Sequence, residues 1–162
     1  MSASREFLDA LYGVAVTTAH PATCLAQALP DPPESGRLIV LAAGKAAGAM
    51  AEVAERHYLE TLHIVPSRLA GIAVTRRGYS RPTRVIASME AGHPVPDDGS
   101  LAAAERALML ASAATADDLV LAFISGGASA NWVAPAAGVT LDQKRAVNRT
   151  LLKSGAAIGG AK

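Results

Sequence analysis

Polar and apolar positions along the chain follow two periods, and the change from one to the other marks the elements. Residues 38–43, L-I-V-L-A-A, are apolar without a break. That is the pattern of a strand covered on both faces, and it predicts a strand over 37–43. Gly44 and Lys45 interrupt the run, after which Ala46, Met50, Val53, Ala54 and His57 recur at helical spacing. A strand, a tight turn and a helix follow one another here, with a lysine at the carboxyl end of the strand. Upstream, Ser4 can cap a helix over 5–19 with Phe7, Leu8, Leu11 and Ala15 on one face. Downstream, 71–75 (G-I-A-V-T) and 84–89 (R-V-I-A-S-M) read as short strands. A helix over 98–114 turns Leu101, Leu108 and Ala111 inward, with Asp97 or Asp98 as its cap. Residues 118–124, D-L-V-L-A-F-I, form a fourth strand of the buried parallel kind. Thr140 and Gln143 make a capping box for a helix over 141–154, which Gly155 stops. The residues after Gly155 are too few and too glycine-rich for another element.

Strands that alternate with helices predict one α/β domain over residues 1–162. Its expected architecture is three-layered and Rossmann-like, with a mostly parallel sheet.

Composition narrows the function classes. Half of the 162 residues are apolar, enough for a core, while aromatics are only 4%. The net charge is +1 and no basic stripe is present, which argues against nucleic acid. Cys24 is the only cysteine, so neither an intrachain disulfide nor a cysteine-based zinc cluster can form. No apolar run approaches the roughly 20 residues of a membrane span. The N-terminal residues lack a signal-peptide pattern, and the expected compartment is cytoplasmic.

Candidate chemistry lies in the loops that follow the strands, because ligands of parallel sheets bind at that edge. Gly44-Lys45 is one such loop: a helix N-terminus offers free N–H groups and a positive dipole, and a lysine adds a full charge. It is not a phosphate-binding P-loop, since Ile39 and Ala46 stand where a glycine and a Ser/Thr are required. Ser125-Gly126-Gly127-Ala128-Ser129 is the second loop, small enough for backbone to approach an anion as a nest of N–H groups. His93, between Gly92 and Pro94, is either an oxyanion donor or acid/base group or a residue that holds the turn. Arg76 and Arg77 either clamp phosphate or stay solvated. Asp97 and Asp98 suit helix capping better than a metal, and no metal site is predicted. Asp117 and Asp118 precede a strand at the opposite edge and read as turn residues.

Three segments together, A-G-K-A-A-G-A-M-A (43–51), E-A-G-H-P-V-P-D-D-G-S (90–100) and I-S-G-G-A-S-A (124–130), resemble the N-terminal domain of the glycerate 2-kinase family. Members of that family are often labelled hydroxypyruvate reductases. Residues 140–158 continue the similarity. The resemblance implies ATP- and magnesium-dependent phosphorylation of D-glycerate at its 2-hydroxyl, in a cleft between two α/β domains. It makes Lys45 the catalytic basic group. Gly44, His93 and the loop Ser125, Gly126, Gly127, Ala128 and Ser129 become the binding residues. Two departures stand out. Ala128 occupies a place where the family commonly has a third glycine, and the second domain is expected to be missing from these 162 residues. The 162 residues are therefore expected to be inactive alone, and to self-associate or to accept a chain supplying the second domain. A reductase acting on hydroxypyruvate is the alternative, weakened by the lack of G-x-G-x-x-G. A non-catalytic anion-binding fragment is the third reading.

Overall fold

The computed structural model describes residues 3–155. The chain forms α1 (Ala3–Ala19), α2 (Pro21–Cys24), β1 (Leu38–Ala43), α3 (Ala47–Arg56), β2 (Leu69–Arg76), β3 (Ala87–Ala91), α4 (Asp98–Ser112), β4 (Leu119–Ile124), α5 (Ala128–Asn131) and α6 (Leu141–Ser154). The four strands are all parallel, in the order β3-β2-β1-β4. The expected tail after Gly155 lies outside the described residues.

Central β1 is buried along its whole length, which explains why its sequence has no polar alternation. One face, with Leu38, Val40 and Ala42, packs on Ala47, Ala51, Ala54 and Tyr58 of α3 and its extension. The other face, with Ile39 and Leu41, packs on Ala103 and Ala107 of α4. Alanines on both helices let them approach the sheet closely. Tyr58 is fully buried, and its hydroxyl donates to the Pro30 carbonyl at 2.7 Å. Burial pushes this phenol up to about 12, with the Asp31 charge adding to the effect.

Four local expectations are corrected. Strand β4 is not buried: it lies at the sheet edge, and its residues alternate between half-buried and exposed. Ser100, Ala103, Ala104 and Ala107 are the buried residues of α4, whereas Leu108 is 56% exposed. The inward stripe is therefore built of small residues rather than of Leu101, Leu108 and Ala111. In α1, Phe7, Leu8 and Leu11 are exposed, because no other described element covers that face. Strand β3 starts at Ala87 rather than 84, since the N–H groups of Arg84, Val85 and Ile86 donate to the buried Glu55 carboxylate instead of to the sheet.

The entry edge of the sheet is tied by one ion pair. Asp118 accepts from the Arg37 backbone N–H at 2.6 Å and from its guanidinium at 2.8 Å, joining the starts of β1 and β4. Its side chain is only 2% exposed. The Arg37 guanidinium and N–H groups of Thr115 and Arg37 hold this carboxyl well below the usual range. Asp118 is thus a cross-strand clamp and not merely a turn residue.

Candidate functional site

The strand order reverses between β1 and β4, because β2 and β3 lie on one side of β1 and β4 on the other. Ligands of open α/β sheets bind at such a switch point, at the carboxyl ends of the strands. Gly44-Lys45 and Ser125-Gly126 meet there. Gly44 has φ +112, and a Cβ at that position would lie 2.4 Å from the Ser125 hydroxyl. Only glycine fits the turn.

The two loops are stitched together. The Lys45 N–H donates to the Gly126 carbonyl at 2.9 Å, and the Ser125 N–H to the Ala43 carbonyl at 3.0 Å. The Ser125 hydroxyl accepts from the Ala46 N–H at 3.0 Å and donates to the Ala43 carbonyl at 3.3 Å. Ser125 therefore shapes the crevice rather than offering its hydroxyl to it. Ala128 opens α5, and its N–H donates to the Ser125 carbonyl. Among the described residues, the N–H groups of Gly126 and Gly127 have no acceptor. These two are the free backbone donors of the loop.

Lys45 and His93 converge on Gly127. A Cβ at Gly127 would lie 2.7 Å from His93 Nε2 and 3.5 Å from Lys45 Cγ. Glycine at 127, with φ +92, leaves room for the imidazole. Asn131, buried in α5, donates its side-chain N–H to the Gly92 carbonyl at 3.0 Å and so fixes the turn carrying His93. Burial, and then the charges of Lys45 and Arg76, push the His93 imidazole below its usual range. His93 itself makes no hydrogen bond among the described residues. Ser129 lies elsewhere, on a groove it shares with Trp132 and Lys144.

The arginines after β2 divide. Arg77 pairs with Asp97 at 2.5 Å. Arg76 lays its guanidinium over the Tyr79 ring, 3.6 Å from the centroid. Asp97 also caps α4 through a capping box with Ser100. Burial raises the Asp97 carboxyl, but the Gly92 N–H, the Arg77 guanidinium and Ser100 outweigh it and pull the value down to about 2. The folded form thus holds this proton less tightly than the unfolded chain, whose value is near 3.8. The resulting stabilisation is present above the unfolded value and is lost as pH falls through the folded one. We expect Asp97→Asn to melt below the wild type near neutral pH. The gap should close as pH approaches about 2, in thermal melts across that acid range. A gap independent of pH would contradict the assignment.

Sequence reasoning did not single out Asn131, Tyr79 or Arg149. Arg145 and Arg149, four residues apart on α6, border the same pocket as Arg76 and His93, and that spacing was the available signal.

Fold and site together define a parallel α/β domain with a lysine, a histidine and two unpartnered backbone N–H groups at one sheet edge. Residues 7–160 match DUF4147, described as a domain of unknown function, and the chain belongs to that family. It is 41% identical over 155 residues to a protein of Agrobacterium vitis provisionally named hydroxypyruvate reductase, covering 96% of this chain and 34% of that one. To a glycerate 2-kinase of Pyrococcus horikoshii it is 39% identical over 123 residues, covering 76% of this chain and 26% of the relative. The crystal structure of glycerate kinase from Thermotoga maritima superposes with a TM-score of 0.72 at 31% identity, over 92% of this chain and 34% of that one. The chain spans about a third of the length of the curated relatives it matches. No helix among the described residues is long and apolar enough to cross a membrane.

Proposed function

We propose that this chain is the N-terminal domain of an ATP-dependent D-glycerate 2-kinase, working in the cytoplasm, with Lys45 as its catalytic cation. The observation that carries the reading is the convergence of Lys45, His93 and the unpartnered N–H groups of Gly126 and Gly127 at the switch point. Phosphoryl transfer depends on positioning and on positive charge at the transferring oxygens more than on covalent chemistry. Lys45 and the two amides suit such oxygens. Magnesium fits this chain less well. Among the described residues the acids near this edge are engaged: Asp97 by Arg77, Asp98 by Arg145, and Glu90 by Gly78 and Ser80. The reductase name of one relative finds less support in the site. The turn after β1 is not glycine-rich, and β2 ends in Thr75-Arg76 without the acid that holds a nicotinamide ribose.

Calorimetry separates the two readings on this chain. Uptake of ADP and D-glycerate without NADH supports the kinase. Uptake of NADH with hydroxypyruvate contradicts it. Phosphoryl transfer by the 162 residues alone is expected to be negligible, because the relatives carry about twice as much further chain.

The same length difference bears on partners. On edge strand β4, Val120 and Ile124 are exposed, Ile124 by 62%, on the α4 side of the sheet. Apolar patches of this kind mark interfaces. We assign this face to the polypeptide that makes up the rest of the relatives' length. In its absence the chain is expected to self-associate. Sedimentation velocity over a concentration series reads the result, and a monomer throughout would contradict it.

A further inference from the structure

A pocket bordered by His93 but not by Lys45 holds cations that the phosphoryl reading does not use. It has a volume of about 610 Å³ and is bordered by Arg76, Tyr79, His93, Arg145 and Arg149. The arginines around it are not equivalent. Arg77 is neutralised by Asp97, and Arg145 by Asp98 and Asp142. Arg76 and Arg149 have no acidic partner among the described residues.

Arg76 is also under-satisfied. Its Nε is buried and has no hydrogen-bond acceptor. Buried donors on charged groups are costly to leave unpaired, and such an exception calls for an explanation. Stacking on Tyr79 fixes the guanidinium plane, and its two terminal nitrogens, which have no partner among the described residues, form the edge that faces a ligand. A guanidinium edge held in that way matches the two oxygens of a carboxylate.

We propose that Arg76, assisted by Arg149, binds the carboxylate of a small 2-hydroxy acid, placing its hydroxyl toward His93 and Lys45. The assignment rests on the kinase reading and names the residues that select its acceptor substrate. His93 is near enough to both Lys45 and Arg76 to feel their charges. Burial and those charges favour the neutral imidazole, which can accept a hydrogen bond from a hydroxyl. Lys45 and the Gly126 and Gly127 amides then remain for phosphoryl oxygens. Arg76 acts here as a binding and specificity residue, with no bond made or broken at it.

The test compares D-glycerate with its methyl ester, which keeps the hydroxyls and removes the negative charge. Binding is followed by calorimetry on the whole chain, with amide NMR shifts for location. The wild type is expected to prefer the acid over the ester by about tenfold or more, as expected for a charge-assisted bidentate contact. Arg76→Gln should collapse that preference toward unity. Arg149→Ala, at an exposed helical position whose loss leaves the fold intact, should reduce it. Unchanged preference in both variants overturns the proposal. Inorganic phosphate, titrated in parallel, monitors the Lys45 loop. A phosphate response at Gly126 and Gly127 without acid-over-ester preference overturns the carboxylate site and leaves the kinase reading standing. Preference for the acid with no phosphate response keeps the carboxylate site and removes the kinase reading. Neither response overturns both.

Discussion

Glu55→Ala is expected to destabilise the chain by about 3 kcal/mol, the largest loss from any single change considered. The carboxylate is only 6% exposed and accepts three backbone N–H groups, from Arg84 at 2.5 Å and from Val85 and Ile86 at 2.8 Å. Hydrogen bonds to a charged group contribute about 1.5–3 kcal/mol each, and an orphaned buried donor costs about 1–3 kcal/mol. The N–H groups of Arg84 and Val85 are part-buried and can recover water, so the sum is smaller than three full bonds. For a domain of this size the loss corresponds to a fall of roughly 6–12 °C in melting temperature. Glu55→Gln should lose less, because the amide oxygen still accepts. Urea unfolding of both variants reads the prediction. Equal stability of wild type and Glu55→Ala would show that α3 does not hold the segment before β3.

Lys45→Ala is expected to do the reverse, with a large effect on anion binding and little on stability. The lysine is exposed, and its ties to the fold run through its backbone N–H, which alanine keeps. Surface substitutions of this kind usually change stability by less than about 0.5 kcal/mol. A charge-assisted contact of about 1.5–3 kcal/mol lost to a bound phosphate is roughly a 10- to 100-fold weaker affinity. Phosphate binding by calorimetry and a thermal melt on the same sample separate the two effects. A variant that unfolds, or one that binds phosphate as the wild type does, would remove Lys45 from the site.

The parts of this fold legible in the sequence are those whose signal is local. The unbroken apolar runs of β1 and β4 and the capping box of Thr140 and Gln143 place their elements to within a residue. The fold class follows from the alternation, and the structural likeness to glycerate kinase agrees with it. The misread parts depend on distant partners. Val85 and Ile86 look like strand, but Glu55, about 30 residues earlier, claims their N–H groups. The face of α4 is set by how closely the helix can approach the sheet, which favours alanines over the larger Leu108. Asp118 looks like a turn residue until Arg37 is brought beside it from 81 residues away. At the candidate site the loops were visible as glycine-rich punctuation, but their contacts were not. Nothing local tells that Ser125 spends its hydroxyl on the neighbouring loop, or that Gly127 is the seat of His93.

The most direct measurement of the central claim is an amide-resolved NMR titration of this chain with inorganic phosphate, beside the same titration of Lys45→Ala. The account predicts saturable shifts at Lys45, His93, Gly126 and Gly127 in the wild type and their loss in the variant. Shifts confined to the opposite edge around Arg37 and Asp118, or the same response in Lys45→Ala as in the wild type, would contradict it.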